Sequence, residues 1–228
     1  MVISVMDTYR LYVLIYLIAC IQSVRQMSEQ ESPNERIEQG RRTVARMVEA
    51  AHELFAENGY AGTAMEDVVA RAGVTRGALY HHFDGKRGLF AAVFEAAQQT
   101  IAQRIHESAL DARDPWQAIL AGSRAFLEAA GEPGLRRIVL IDGPAALGWA
   151  EWRRLDELYG VRELREGLEH LRREGLLKPV PVEAATRLLS GALNEAVLWT
   201  AEADDPAAAV EKSMAGFAAL TDGLRAAP

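Results

Sequence analysis

"RAGVTRGALYHHFDGK" (residues 71–86) decides how this chain is read. Two adjacent histidines sit there with three glycines, two arginines, a tyrosine, an aspartate and a lysine. A metal or catalytic centre is the first idea to test. His81 and His82 are neighbours, about 100° apart on a helix, so they do not share a face as i, i+4 ligands do. The chain has a single cysteine and neither a dinucleotide-binding nor a P-loop glycine pattern, and "GPAALG" lacks the Lys-Ser/Thr ending. No metal, no cofactor and no enzymatic activity are expected.

Outward from the quoted stretch, the spacing predicts helices. Val44, Met47, Val48, Ala51, Leu54 and Phe55 recur at i, i+3/i+4, i+7, an amphipathic helix that Gly59 ends. Thr63 and Glu66 have the spacing of a capping box, so a short second helix starts there and stops at Gly73. Thr75 is a candidate N-cap for a third, with Leu79 and Phe83 facing inward. A fourth runs from about Lys86 to Ser108. Asp114-Pro115 and Asp205-Pro206 each read as the start of a helix. "RRIVLIDGPAALG" reads as a buried strand or, among helices, a short buried helix; a long charged helix is expected over about 147–174 and another over 182–200. The fold class is all-α, with about nine helices.

Two short helices joined by a tight glycine turn form a helix-turn-helix, whose second helix enters the major groove of DNA. Packing accounts for Ala70, Val74, Leu79 and Phe83. It leaves an outward set: Thr75, Arg76, Gly77, Ala78, Tyr80, His81 and Lys86. Arg76 can reach guanine O6/N7, the Thr75 hydroxyl and the helix N-terminus can meet a phosphate, and Gly77 and Ala78 leave room for a thymine methyl or for the backbone. His82 stays open between packing and phosphate contact. The formal net charge of −7 argues against a non-specific polyanion binder. Most of the acidic excess lies after residue 107, away from this stretch.

The ordered elements "LFAENGY", Thr63-x-x-Glu66-Asp67, "AGV", "TRGALYHHF" and Lys86-x-x-Leu89-Phe90 closely resemble the TetR/AcrR family of bacterial transcriptional regulators. The family commonly has Thr or Ser where this chain has Ala64, so Thr63 is the candidate for that contact. The resemblance implies a three-helix DNA-binding domain over 37–84, with Arg42, Thr63, Thr75, Arg76, Gly77, Ala78, Tyr80, His81, His82 and Lys86 as DNA-contacting residues. It implies a helical ligand-binding and dimerisation domain over 85–228. The implied partners are a double-stranded DNA operator, a small-molecule effector and a second copy of the chain, in the cytoplasm. Repression, activation, and an enzyme or scaffold that merely carries a helix-turn-helix stay open at this point.

The C-terminal helices read either as plain core or as core around a pocket. Candidate pocket residues are Trp116, Phe126, Asp142, Trp149, Trp152, Asn194, Glu195 and Trp199, aromatic groups beside a few polar ones. Candidate dimer-interface residues are Leu189, Leu193, Val197, Met214 and Phe217 on the last two helices. The apolar run 11–21 is too short to span a bilayer, so no membrane partner is expected. It reads as part of a non-native extension with Met27 as the start, as a packing or interfacial helix, or as an export or lipid signal. Residues 1–36 are expected to form an N-terminal extension, with 27–40 a disordered polar arm.

Overall fold

The computed structural model describes residues 33–226. They form α1 (Pro33–Gly62), α2 (Met65–Ala72), α3 (Arg76–His82), α4 (Gly85–Leu110), α5 (Pro115–Gly131) and α6 (Pro133–Arg136). A π-helical segment (Arg137–Asp142) follows, then α7 (Gly143–Leu147), α8 (Trp149–Leu158), α9 (Gly160–Arg173), α10 (Val182–Glu202) and α11 (Pro206–Asp222). Among the described residues the only extended pairing is an isolated bridge between Leu177 and Arg225. None of their helices is long and apolar enough to cross a membrane.

The expected periodicities bury as read. Met47, Ala51, Leu54 and Phe55 of α1 are buried, and so are Leu89, Phe90, Val93, Ala97 and Ile101 of α4. Each such large side chain contributes about 1.5–3 kcal/mol of transfer free energy. Both Asp-Pro starts are real caps. Asp114 accepts hydrogen bonds from the Trp116 and Gln117 N–H groups at 2.9 and 3.0 Å, and Asp205 accepts one from Ala208 at 3.0 Å.

Three expectations are corrected. The polar stretch thought disordered is helical from Pro33, where proline suits a first turn; the Arg42–Glu38 ion pair at 3.5 Å and the bond from the Thr43 hydroxyl to Gln39 O add local support. The apolar run 11–21 lies outside the described residues. The capping box is absent: α2 is preceded by Ala64 with no side-chain cap. The Thr63 hydroxyl turns inward instead, 2.9 Å from Gly59 O and 3.0 Å from Leu54 O. The long helix over 147–174 is two helices. Gly148 takes φ 81° and Tyr159 takes φ −124°, ψ −101°, neither of them helical.

The apolar run before Gly143 buries Ile138 and Val139 and leads into a tightly packed glycine. A Cβ built on Gly143 would lie 2.9 Å from Ile138 O and 3.0 Å from both Phe94 Cε2 and Trp152 Cδ1. Backbone and two aromatic rings surround it, so nothing flexible can give way. Trp152 is itself held by donating its indole N–H to Val139 O at 2.8 Å. Gly143→Ala should therefore lower stability by about 1–3 kcal/mol, read as a fall in the urea midpoint with unchanged m. An unchanged midpoint would show that the packing around Gly143 yields without cost.

Candidate nucleic-acid interface and effector cavity

The quoted stretch folds by a left-handed turn. Gly73 closes α2 at φ 62°, ψ 40°, a conformation glycine adopts without the Cβ penalty, and the Val74 N–H reaches back to Val69 O at 3.2 Å. Thr75 then caps α3, its hydroxyl accepting from the Ala78 N–H at 3.1 Å. Leu79 is fully buried and Phe83 packs partly against the same core, which fixes the roll of α3. The opposite face is thereby turned out: Thr75, Arg76, Gly77, Tyr80, His81 and His82 are exposed, and Ala78 is half-buried.

Arg76 rests 3.3 Å from Glu66 Oε1 and 5.5 Å from the centre of the Tyr80 ring. An exposed ion pair of this kind is worth at most about 1 kcal/mol, so the guanidinium can exchange it for a stronger acceptor. The His81 and His82 rings meet edge to face at 5.2 Å. No group of three His, Cys, Asp or Glu among the described residues could hold a metal ion. Arg42 is exposed on α1. Thr63 is not on this surface: it is 3% exposed and its hydroxyl serves two carbonyls. Lys86 is half-buried; its ammonium donates to Ala61 O at 3.3 Å and lies 4.7 Å from the centre of the Tyr60 ring.

A polar joint that the sequence did not announce ties this head to the rest. Gly59 breaks α1 with φ 75°, ψ 171°, backbone essentially reserved for glycine. The Tyr60 N–H so released donates to Asp142 Oδ2 at 2.7 Å. Arg137 covers two more ends of the same helix, donating to Ala56 O at 3.0 Å and Glu57 O at 2.7 Å. Arg87 donates to Leu147 O at 2.9 Å. Phe90 packs edge-on against Phe55 and Tyr60 at 5.1 and 5.0 Å, joining α1 to α4. Asp142 is thus a structural acceptor, not a pocket residue.

The cavity lies elsewhere than expected. It encloses about 230 Å3 between α4, α5, α8, α9 and α10. Of the eight expected residues only Phe126 lines it. Trp116 and Trp152 are buried in other packing, while Trp149 and Trp199 are 63% and 47% exposed. Neither Asn194 nor Glu195 reaches it, because Ser190 and Leu193 are the residues of α10 that do. The five expected dimer residues, Leu189, Leu193, Val197, Met214 and Phe217, are all buried within the single chain and cannot meet a second copy.

Sequence reading missed Asp156. It sits four residues after Trp152, on the buried face of α8, and that position was the available signal. It is 4% exposed. Gln98 Nε2 donates to its Oδ1 at 3.1 Å, and Arg153 Nη1 lies 3.4 Å from Oδ2. Burial pushes its carboxyl up to about 6, against the opposing pull of Gln98 and Arg153. A carboxyl raised above its unfolded value holds its proton longer in the folded state, so its contribution to stability is present below about pH 4 and lost as pH rises through 6. Asp156→Asn removes this titration. The stability of wild type relative to Asp156→Asn should thus fall by about 2–3 kcal/mol between pH 4 and 7, measured by chemical denaturation. A pH-independent difference would assign the carboxyl an ordinary titration.

Comparison with known proteins places this architecture. A family model described as "Bacterial regulatory proteins, tetR family" matches residues 47–93, and one described as "Tetracyclin repressor-like, C-terminal domain" matches residues 116–224. A solved TetR-family transcriptional regulator from Pectobacterium atrosepticum is 36% identical, with a TM-score of 0.70 over 84% of this chain and 98% of that one. The transposon Tn10 TetC protein of Escherichia coli is 25% identical over 71% of this chain and 81% of its own length. The regulator TtgR of Pseudomonas putida is 40% identical over 63 residues, 28% of this chain and 30% of its own. The chain therefore belongs to the TetR family and is a DNA-binding transcriptional regulator.

Proposed function

We propose that the protein is a ligand-responsive repressor. As a homodimer it sets two copies of α3 in successive major grooves of a near-palindromic operator, and a small molecule held among the C-terminal helices releases it. The observation that carries this reading is the outward face of α3, where Arg76 and Tyr80 stand exposed on a helix rooted by buried Leu79. Arg76 is the base reader. Thr75, Tyr80, His81 and the rest of the outward set position the helix on phosphates. A 100-fold loss of operator affinity requires only about 2.7 kcal/mol of differential ligand binding, within reach of a repacked cavity.

The residues that meet the second copy are the outward ones of the last two helices. On α10, Leu188, Gly191, Glu195 and Trp199 recur every three or four residues and are all exposed, Leu188 by 75%. On α11, Gly216, Ala219 and Leu220 are exposed in the same way. Small residues between large apolar ones allow two helix pairs to approach closely across a two-fold axis.

Three measurements test the proposal. Fluorescence anisotropy with DNA flanking the protein's own gene should give specific binding that weakens steeply with salt; its absence sinks the repressor reading. Arg76→Ala should cost about 1–3 kcal/mol on the preferred site and relax preference at one base position, whereas unchanged specificity would reassign the reader. Leu188→Glu should convert dimer to monomer in analytical ultracentrifugation with the fold intact, since the residue is 75% exposed. A variant that stays dimeric would place the interface elsewhere.

A further inference from the structure

We propose that the cavity is built for a compact, largely apolar molecule carrying a protonated amine, with Asp156 and Ser190 receiving the ammonium. This rests on reading the C-terminal helices as the effector domain and names the chemistry of their ligand. The walls are apolar: Ile105 on α4, Ile119 and Phe126 on α5, Val161 and Leu164 on α9, and Leu193 on α10. A volume of about 230 Å3 suits a molecule of modest size. Two glycines shape the floor: a Cβ on Gly122 would come within 3.1 Å of Ile105, and one on Gly167 within 3.2 Å of Ile119.

Its carboxylates, Asp156, Glu163 and Glu166, outnumber its other charged groups. Asp156 is buried and accepts one amide N–H and one long guanidinium contact, which leaves acceptor capacity on both oxygens. Ser190, buried on α10, lines the cavity and has no side-chain hydrogen bond among the described residues. Ser123 does not compete, because its hydroxyl donates to Ile119 O at 2.7 Å. Glu163 and Glu166 add two carboxylates nearer the rim, beside His106 and His170. Arg162, half exposed and outside the lining, lies 3.4 Å from Glu163 and 3.7 Å from Glu166. No lysine or arginine lines the cavity.

An anionic ligand would enter among three carboxylates with no Lys or Arg in the lining to receive it. A neutral hydrocarbon would leave the Ser190 hydroxyl and the remaining acceptor capacity of Asp156 unused. An ammonium brings three donors and a charge, turning both groups into partners in short, charge-assisted bonds. The rim carboxylates draw the cation in.

Calorimetry on the full-length protein tests this with three matched compounds: 4-phenylbutylamine, 4-phenylbutan-1-ol and 4-phenylbutanoate. At pH 8 Asp156, with its carboxyl at about 6, is ionised. The amine should bind about 10- to 100-fold tighter than the carboxylate, with the alcohol between them. Asp156→Asn should erase the amine preference. Should that variant fold poorly, Glu163→Gln with Glu166→Gln, both nearer solvent, should shrink the preference several-fold. Carboxylate binding equal to or tighter than the amine, no amine binding, or a preference untouched in the folded variants overturns the proposal. The repressor reading fails separately: it falls if the amine binds the cavity yet leaves operator affinity unchanged, an outcome that keeps the cavity assignment.

Discussion

The hydrogen bond from the Tyr60 N–H to Asp142 is the constraint on which the two-part construction depends. A helix that ran straight through Gly59 would satisfy that N–H itself and leave Asp142 buried beside the backbone without its donor. The glycine backbone instead turns the N–H outward, and a carboxylate eighty-two positions later accepts it. Arg137 completes the joint on the carbonyls of Ala56 and Glu57. Both partners come from one six-residue π segment, whose irregular winding gives the two side chains their positions. The DNA-reading head is thereby seated on that segment by charge-assisted bonds that hold orientation as well as distance.

The head has a second attachment of a different kind. Helix α4 follows the recognition helix directly and is anchored to α1, where Phe90 packs against Phe55 and Tyr60 and the ammonium of Lys86 lies over Tyr60. The same helix carries Gln98 to Asp156 and ends in the cavity wall at Ile105 and His106. Phe90 and Ile105 are about 22 Å apart along the axis at 1.5 Å per residue. One rigid rod thus spans from the reading head to the cavity. The π segment stays fixed to the head at its own point.

Much of this was legible because local chemistry decided it. Gly73, Thr75 and the two Asp-Pro pairs specify turns and caps with partners a few residues away, and the structure forms each of them. The amphipathic stripes of α1 and α4 were legible for the same reason. What failed depended on competition between possible partners or on neighbours distant in sequence. The Thr63 hydroxyl had two possible users, and the carbonyls of Leu54 and Gly59 outcompeted the cap at Glu66. Tryptophan suggested burial, yet Trp149 and Trp199 stand exposed among the described residues. Periodicity found the apolar stripes of the last two helices but could not say what lay opposite. Leu189, Leu193 and Val197 turned out to face the chain's own core.

That last reversal has a consequence for how the parts work together. With the inward stripe of α10 spent on the core, the helix has two occupied sides. Ser190 and Leu193 line the cavity, while Gly191 and Leu188 lie on the outward face. Cavity and outward face are separated by the width of one helix, and adjacent residues belong to each. A ligand drawn to Ser190 presses on the same element that a second copy would grip from outside. On the proposed effector and dimer reading, its effect would reach the DNA heads along two routes, through α4 within a chain and through α10 by changing how the chains are set against each other. Small residues such as Gly191 and Gly216 on that outer face make the second route sensitive, because close helix contacts leave little slack to absorb a shift.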